Sequence, residues 1–329
     1  MLARVVTIAL SLSLVGFALA QSLTVYSGRG EALVQPLVEQ FTAATGIEVN
    51  VRYGGTAELA VLILEEGRAS PADVFWGQDA GALGALSRAQ RLTALDADVT
   101  GGLPGIYTSR NDLWVATSGR ARVLAYSPER TADTPWPASV FDLTDPAYRS
   151  RVAWAPTNGS FQAFVTAMRV VHGESATEAW LRGMIANDVQ AYRNNTTMVE
   201  AIAAGEVDYA ITNNYYLLRY LANDPSYPVA QGFFEDADIG NLVNVAGAGI
   251  VNTSSNVEAA RQFLAFLLSA EAQTYFTNEV YEYPVVPGVE PSEALASFDA
   301  LLAASPDVDL DVLEDLEGTL ELLREVGLL

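Results

Sequence analysis

The sequence predicts an α/β protein of two lobes, in which the chain leaves one lobe, builds the second and returns. Three observations predict it. Short β-rich runs alternate with helical periods across Gly/Ser/Asn-rich turns, the pattern of α/β layers with largely parallel sheets. About 310 residues follow an N-terminal leader, more than one hydrophobic core usually serves. Two extended runs, 121–126 and 242–251, flank the second group of units and read as crossings between lobes. Lobes joined by strands make a hinged clamp.

The first unit is the strand 23–27, the turn Gly28-Arg29-Gly30 and a helix through Phe41 that ends near Gly46, with Pro36 predicting a kink or a late start. The second is the strand 47–53, Gly54-Gly55 and a helix over 56–66. In the third, the strand 72–76 leads through Gly77-Gln78-Asp79 into a helix with Leu83 and Leu86. After the first crossing, 151–155 leads through Pro156-Thr157-Asn158-Gly159 into a helix from Ser160. The strand 189–193 leads through Asn194-Asn195-Thr196 into a helix with Met198 and Ile202, and 207–212 leads through Asn213-Asn214 into 215–221. A helical stretch at 257–277 completes the first lobe, and amphipathic helices follow Pro291. The expected division is a signal at 1–20, a first lobe of 21–122 plus 247–290, and a second of 123–246 plus 291–329.

Composition narrows the function. Arg4, the apolar run 5–17 and Ala18-Leu19-Ala20 form a secretory signal with cleavage expected before Gln21, which places the mature chain in a periplasm. The run is too short to span a bilayer, and no later stretch approaches the roughly 20 apolar residues that a membrane helix needs. There is no cysteine, and all 18 basic residues are arginine. Schiff-base, P-loop and Ser-Lys lysines are therefore excluded, and one His with no G-x-S-x-G leaves little for nucleophilic catalysis. No enzyme is expected. A net charge of −22 disfavours nucleic acid and anionic lipid, both bound mainly by basic patches.

Ligands of open α/β sheets lie beyond the carboxyl ends of strands, where the strand-to-helix loops meet. Six such junctions, each ending at a helix N-terminus that favours anions, predict a cleft between the lobes. The sharpest element is Asn213-Asn214-Tyr215-Tyr216. Adjacent residues of a strand face opposite sides, but in the first turn of a helix both rings can lean into one cleft. Two phenolates suit a hard trivalent cation, which deprotonates them outright. Against this stands the plain possibility of two packed aromatics.

Leu-Thr-Val-Tyr-Ser-Gly at 23–28, Ser-Pro-Ala-Asp-Val-Phe-Trp at 70–76, Ser-Gly-Arg-Ala-Arg-Val at 118–123, Pro-Thr-Asn-Gly-Ser-Phe at 156–161 and Gly-Glu-Val-Asp…Asn-Asn-Tyr-Tyr at 205–216 resemble the ferric-ion-binding proteins of bacterial ABC iron transporters. The similarity runs in order over nearly the whole mature chain. It implies a type II periplasmic binding protein fold that closes on Fe(III) with a synergistic anion, carbonate or phosphate, and hands the ion to a membrane permease. It implies Tyr215 and Tyr216 as metal ligands, and Arg120, Asn158, Gly159, Ser160 and Asn195 as the anion site. Where some members of that family have a His this chain has Gly30, where others have a Glu it has Gln78, and where another branch has a third tyrosine it has Phe161. Asp79, Glu31 or water is left as a further ligand. Arg29 and Gln78 are expected at the cleft, with a solvated loop position as the other reading of Arg29.

Ferric iron, two phenolates and a carbonate sum to one negative charge, which Arg120 neutralises. A monomer is expected. The missing His and Glu keep a second cargo open, a phosphonate or small carboxylate bound without metal. Glu235-Asp236-Ala237-Asp238 lacks the glycine and terminal Glu of a calcium loop, 307–317 reads as an acidic surface helix, and His172 as a helix-end residue.

Overall fold

The computed structural model describes residues 22–103, 107–308 and 310–329, so the expected signal segment lies outside the described residues. Ten strands occur among them: β1 (Ser22–Ser27), β2 (Glu48–Tyr53), β3 (Val74–Gly77), β4 (Leu92–Thr93), β5 (Val115–Tyr126), β6 (Val152–Trp154), β7 (Gln190–Ala191), β8 (Tyr209–Asn213), β9 (Ala230–Gly232) and β10 (Val243–Val251). They pair in the order β2-β1-β3-β10-β5-β8-β6-β7, with β4 beside β10 and β9 beside β5. β1 lies parallel to β2 and β3, and β6 parallel to β7 and β8. The two long strands run antiparallel to their neighbours.

Those long strands join the lobes. From Val115 to Ala121, β5 pairs with β10; from Arg122 to Tyr126 it pairs with β8 instead. The chain crosses from one lobe to the other at Ala121–Arg122, and a register shift opposite Ala246/Gly247 leaves Thr117 as an extra residue on β5. β5 starts six residues before the run visible in the sequence. All its residues from Val115 to Ala125 are buried, so its first half shows no alternation of polarity, and Thr117, Ser118 and Gly119 read as turn residues.

Flanking helices follow the expected punctuation. The helix Glu31–Thr45 buries Leu33, Val34, Leu37, Val38 and Phe41 and ends at Gly46 in a left-handed conformation. It runs through Pro36, which does not delay its start. The helix Thr56–Glu66 has the predicted bounds. The stretch 257–277 resolves into Val257–Leu267, Ala270–Tyr275 and a π turn, Phe276–Val280. Trp76 anchors the first lobe, fully buried, with edge contacts to Phe263 and Phe276 and an indole N–H donated to Thr117 Oγ1 at 3.1 Å. Trp154, Phe161, Phe164 and Trp180 form an edge-on cluster in the second.

The acidic stretch near the C-terminus is not a free surface helix. A 3-10 turn, Leu310–Glu314, sits against both the helix Ala80–Arg88 and the helix Gly159–His172. Leu313 is fully buried, and Asp315 caps the final helix Leu316–Glu325 while pairing with Arg169 at 3.0 Å. Burial of alternate apolar residues and neutralisation by Arg169 turn an acidic segment into a wedge between helices of the two lobes. Asp238 likewise belongs to structure, accepting from Ser139 Oγ and the Val140 and Gly240 N–H groups. His172 ends its helix, with its ring edge-on to Phe141.

Truncating Trp76 to alanine leaves a large cavity and an unpaired Thr117 hydroxyl. Urea unfolding of Trp76→Ala is expected to show a loss of about 3–5 kcal/mol.

Candidate functional site

All six strand-to-helix junctions meet at one cleft of about 560 Å³, whose walls include Arg29, Gly55, Gln78, Asn158, Asn194 and Tyr216. The first three come from junctions of the first lobe and the others from the second. The lobes approach closely here: a Cβ at Gly159 would stand 2.7 Å from Asp79 Oδ2 and 3.0 Å from Thr56 Cβ.

The tyrosine pair owes its position to the two asparagines before it. β8 ends at Asn213 and the helix Asn214–Asn223 begins at the next residue, so Tyr215 and Tyr216 fall in its first turn. Asn214 accepts from the Ala121 N–H at 3.0 Å and donates to Tyr281 O at 3.1 Å, which fixes the helix start onto the crossing strand. Asn213 Nδ2 donates to Ser160 Oγ at 3.2 Å. The two rings lie 4.2 Å apart between centroids at 31°, and both phenols are buried. From the opposite lobe Gln78 Nε2 donates to Tyr215 Oη at 2.7 Å and to Tyr216 Oη at 3.0 Å. Adjacent residues thus aim their oxygens at one point. Burial, then the Tyr216 phenol and Glu282, push the Tyr215 phenol well above its ordinary value, against the pull of Arg29 and Arg120.

A buried cationic floor lies beside them. Alternation along β5 puts Ser118, Arg120 and Arg122 on one face. Arg120 is 1% exposed, and its Nε, Nη1 and Nη2 find no partner among the described residues. Burial lowers its pKa, and the Tyr215 phenol and Glu282 oppose the shift. Arg122 donates to Ser160 O and Ile211 O, and its guanidinium lies 4.5 Å from the Phe164 ring centroid. Arg29 is not a solvated loop residue. It is buried, its Nη2 bonds Glu282 Oε2 at 2.7 Å, and its Nε and Nη1 remain without a partner.

Glu282 escapes the sequence reading altogether. It is fully buried and also accepts from Ser118 Oγ. The π turn Phe276–Val280 and a left-handed Tyr281 carry it beneath the cleft, and no local motif signals that path.

The remaining expected residues have definite places. Asn158 caps the helix Gly159–His172 through Oδ1, accepting from Ser160 N and Ser160 Oγ. Asn195 opens the next helix, with its buried Nδ2 unpartnered. Asp79 caps its own helix, Oδ1 accepting from Ala82 N at 3.0 Å, and leaves Oδ2 unpartnered against Gly159. Burial pushes its carboxyl up to about 6, against the pull of the Ala82 N–H and Arg120. Glu31 lines the cleft from an exposed position. Phe161 is packed against Trp154 in the second-lobe core. Among the described residues no three His, Cys, Asp or Glu side chains gather as a metal site, so a cation here depends on phenolic oxygen.

Close approach at Gly159 gives a test of lobe closure. Gly159→Leu is expected to hold the lobes apart, raising the radius of gyration in X-ray scattering while leaving the helical circular dichroism unchanged.

The model for bacterial extracellular solute-binding proteins matches residues 26–274. The chain is 33% identical over 312 residues to the "Fe(3+)-binding periplasmic protein" of Serratia marcescens, covering 94% of this chain and 91% of that one. It is 34% identical over 311 residues to the "Major ferric iron-binding protein" of Neisseria meningitidis serogroup B, covering 93% of each. Among solved structures, iron-bound HitA from Pseudomonas aeruginosa superposes with a TM-score of 0.88 at 34% identity, over 93% of this chain and 99% of that chain. The two-lobed sheet is thus the type II periplasmic binding fold, and the chain belongs to the bacterial extracellular solute-binding proteins, within them to the ferric-ion-binding group.

Proposed function

We propose that the protein captures ferric iron with a synergistic oxyanion, carbonate or phosphate, in the interlobe cleft of a periplasm and delivers it to the permease of an ABC transporter. The observation that carries this reading is the convergence of Tyr215 Oη and Tyr216 Oη on one donor, Gln78 Nε2. Two phenolic oxygens aimed at one point from a helix start are a ready pair of hard ligands. Tyr215 and Tyr216 bind the ion, and Asp79 Oδ2 is the further protein oxygen nearest to hand, facing Gly159 of the other lobe.

Arg120 supports the anion, since a buried guanidinium with no paired nitrogen needs a counter-charge, and its planar fork suits an oxyanion. The N–H groups at Gly159 and Ser160, the Asn158 side chain and the Asn195 amide complete the shell. Arg29 adds its unpartnered Nη1 and Nε from the first lobe. The cargo undergoes no covalent turnover, and the division into lobes at the two crossing strands lets the cleft open to load and release. The same unpaired guanidiniums favour one rival, a small organic anion bound without metal.

Ferric iron with bicarbonate is expected to give a visible phenolate-to-iron band that Tyr215→Phe plus Tyr216→Phe abolishes. Tight calorimetric binding of a phosphonate without any such band would establish the rival instead. A second outcome follows from the raised phenol. Tyr215 stays protonated at neutral pH until metal displaces its proton, so iron loading releases protons and its affinity rises with pH. Loss of the Tyr215 proton alone is expected to make apparent affinity fall at least about tenfold per pH unit on acidification, read by competition with a chelator.

A further inference from the structure

We propose that Gln78 sets the charge of the anion this site accepts: a neutral amide where the two phenols converge leaves the buried cluster in need of a dianion. The proposal rests on the ferric reading above. Gln78 is 7% exposed, and it alone among the described side chains donates to both phenolic oxygens. It joins the lobes without adding charge.

Around it the buried ionic groups are Arg29, Arg120, Arg122, Asp79 and Glu282. Three guanidiniums against two carboxylates leave one positive charge. Ferric iron on two phenolates adds another. A dianion cancels both, whereas a monoanion leaves an uncompensated charge in a low-dielectric enclosure. Both carboxylates are already counted in that balance, and Asp79 Oδ2, although unpartnered, adds nothing further to it. Glu282 Oε2 is held by Arg29 Nη2 and Ser118 Oγ, and Asp79 Oδ1 by the Ala82 N–H. Position 78 is therefore where one change alters the balance without altering the shape. Gln78→Glu keeps the same number of heavy atoms in the same place and supplies the missing negative charge, after which a monoanion suffices.

The experiment compares wild type, Gln78→Glu and Gln78→Leu, each shown folded by its thermal melt. Ferric chloride is added in buffer stripped of carbonate, and bicarbonate, phosphate or acetate is then added back while the visible band is followed. Wild type and Gln78→Leu are expected to require bicarbonate or phosphate. Gln78→Glu is expected to reach half its colour at an anion concentration at least about tenfold lower, and to accept acetate. Calorimetry of the metal-free proteins with phosphate gives the opposite sign, with Gln78→Glu binding at least about tenfold more weakly because the added carboxylate repels the anion. A merely structural role would weaken both. Equal anion requirements in wild type and Gln78→Glu, or the same relief in Gln78→Leu, would overturn the proposal while leaving the ferric reading intact. No colour in wild type under any anion would overturn the ferric reading itself, and this inference with it.

Discussion

Arg120 is the residue on which the site turns. A guanidinium removed from water with no nitrogen paired costs several kcal/mol, and a marginally stable protein keeps such a group only where something offsets it. Part of the offset is in view: Glu282 and Asp79 act on it electrostatically, against the repulsion of Arg29. The rest would come from the oxyanion proposed for the cleft. Because Arg120 sits on the strand that crosses between lobes, one residue before the pairing changes from β10 to β8, an anion held there touches the joint of the clamp itself.

The fold arranges everything else around that crossing. Parallel units on either side bring six helix starts to one cleft, and the antiparallel long strands tie the halves together. Gly159 lets the second-lobe helix approach Asp79 and Thr56, and Gln78 spans the remaining distance to the phenols. Along the same two helices the wedge at 310–314 runs beside Gly81 and Gly84 and fills the angle between them, with Arg169 and Arg88 both drawn toward Asp315. The close approach of Asp79 to Gly159 and the packing of the wedge therefore involve the same pair of helices, Ala80–Arg88 and Gly159–His172.

Much of this was legible in the sequence, because local chemistry determines it. Gly46 ends its helix by backbone preference, and the helix at 56–66 follows from its apolar period. Asn-Asn-Tyr-Tyr announced its site because a strand end, a helix start and two phenols are contiguous. What escaped is what depends on distant parts of the chain. The first half of β5 is buried on both faces and so loses its alternation. Glu282 reaches the cleft only through a π turn and a left-handed tyrosine. Arg29 could be read as a cleft residue or a solvated loop residue until Glu282, 253 positions away, is placed beside it. Gln78 looked like a lost ligand, and its double hydrogen bond to the phenols is visible only once the lobes are set together.

The most direct test is anomalous diffraction at the iron edge from crystals grown with ferric iron and bicarbonate. The account predicts a single strong iron peak bonded to Tyr215 Oη and Tyr216 Oη, with an oxyanion bridging the metal to Arg120. An iron peak elsewhere on the molecule, or none in a cleft occupied by an organic anion alone, would contradict it.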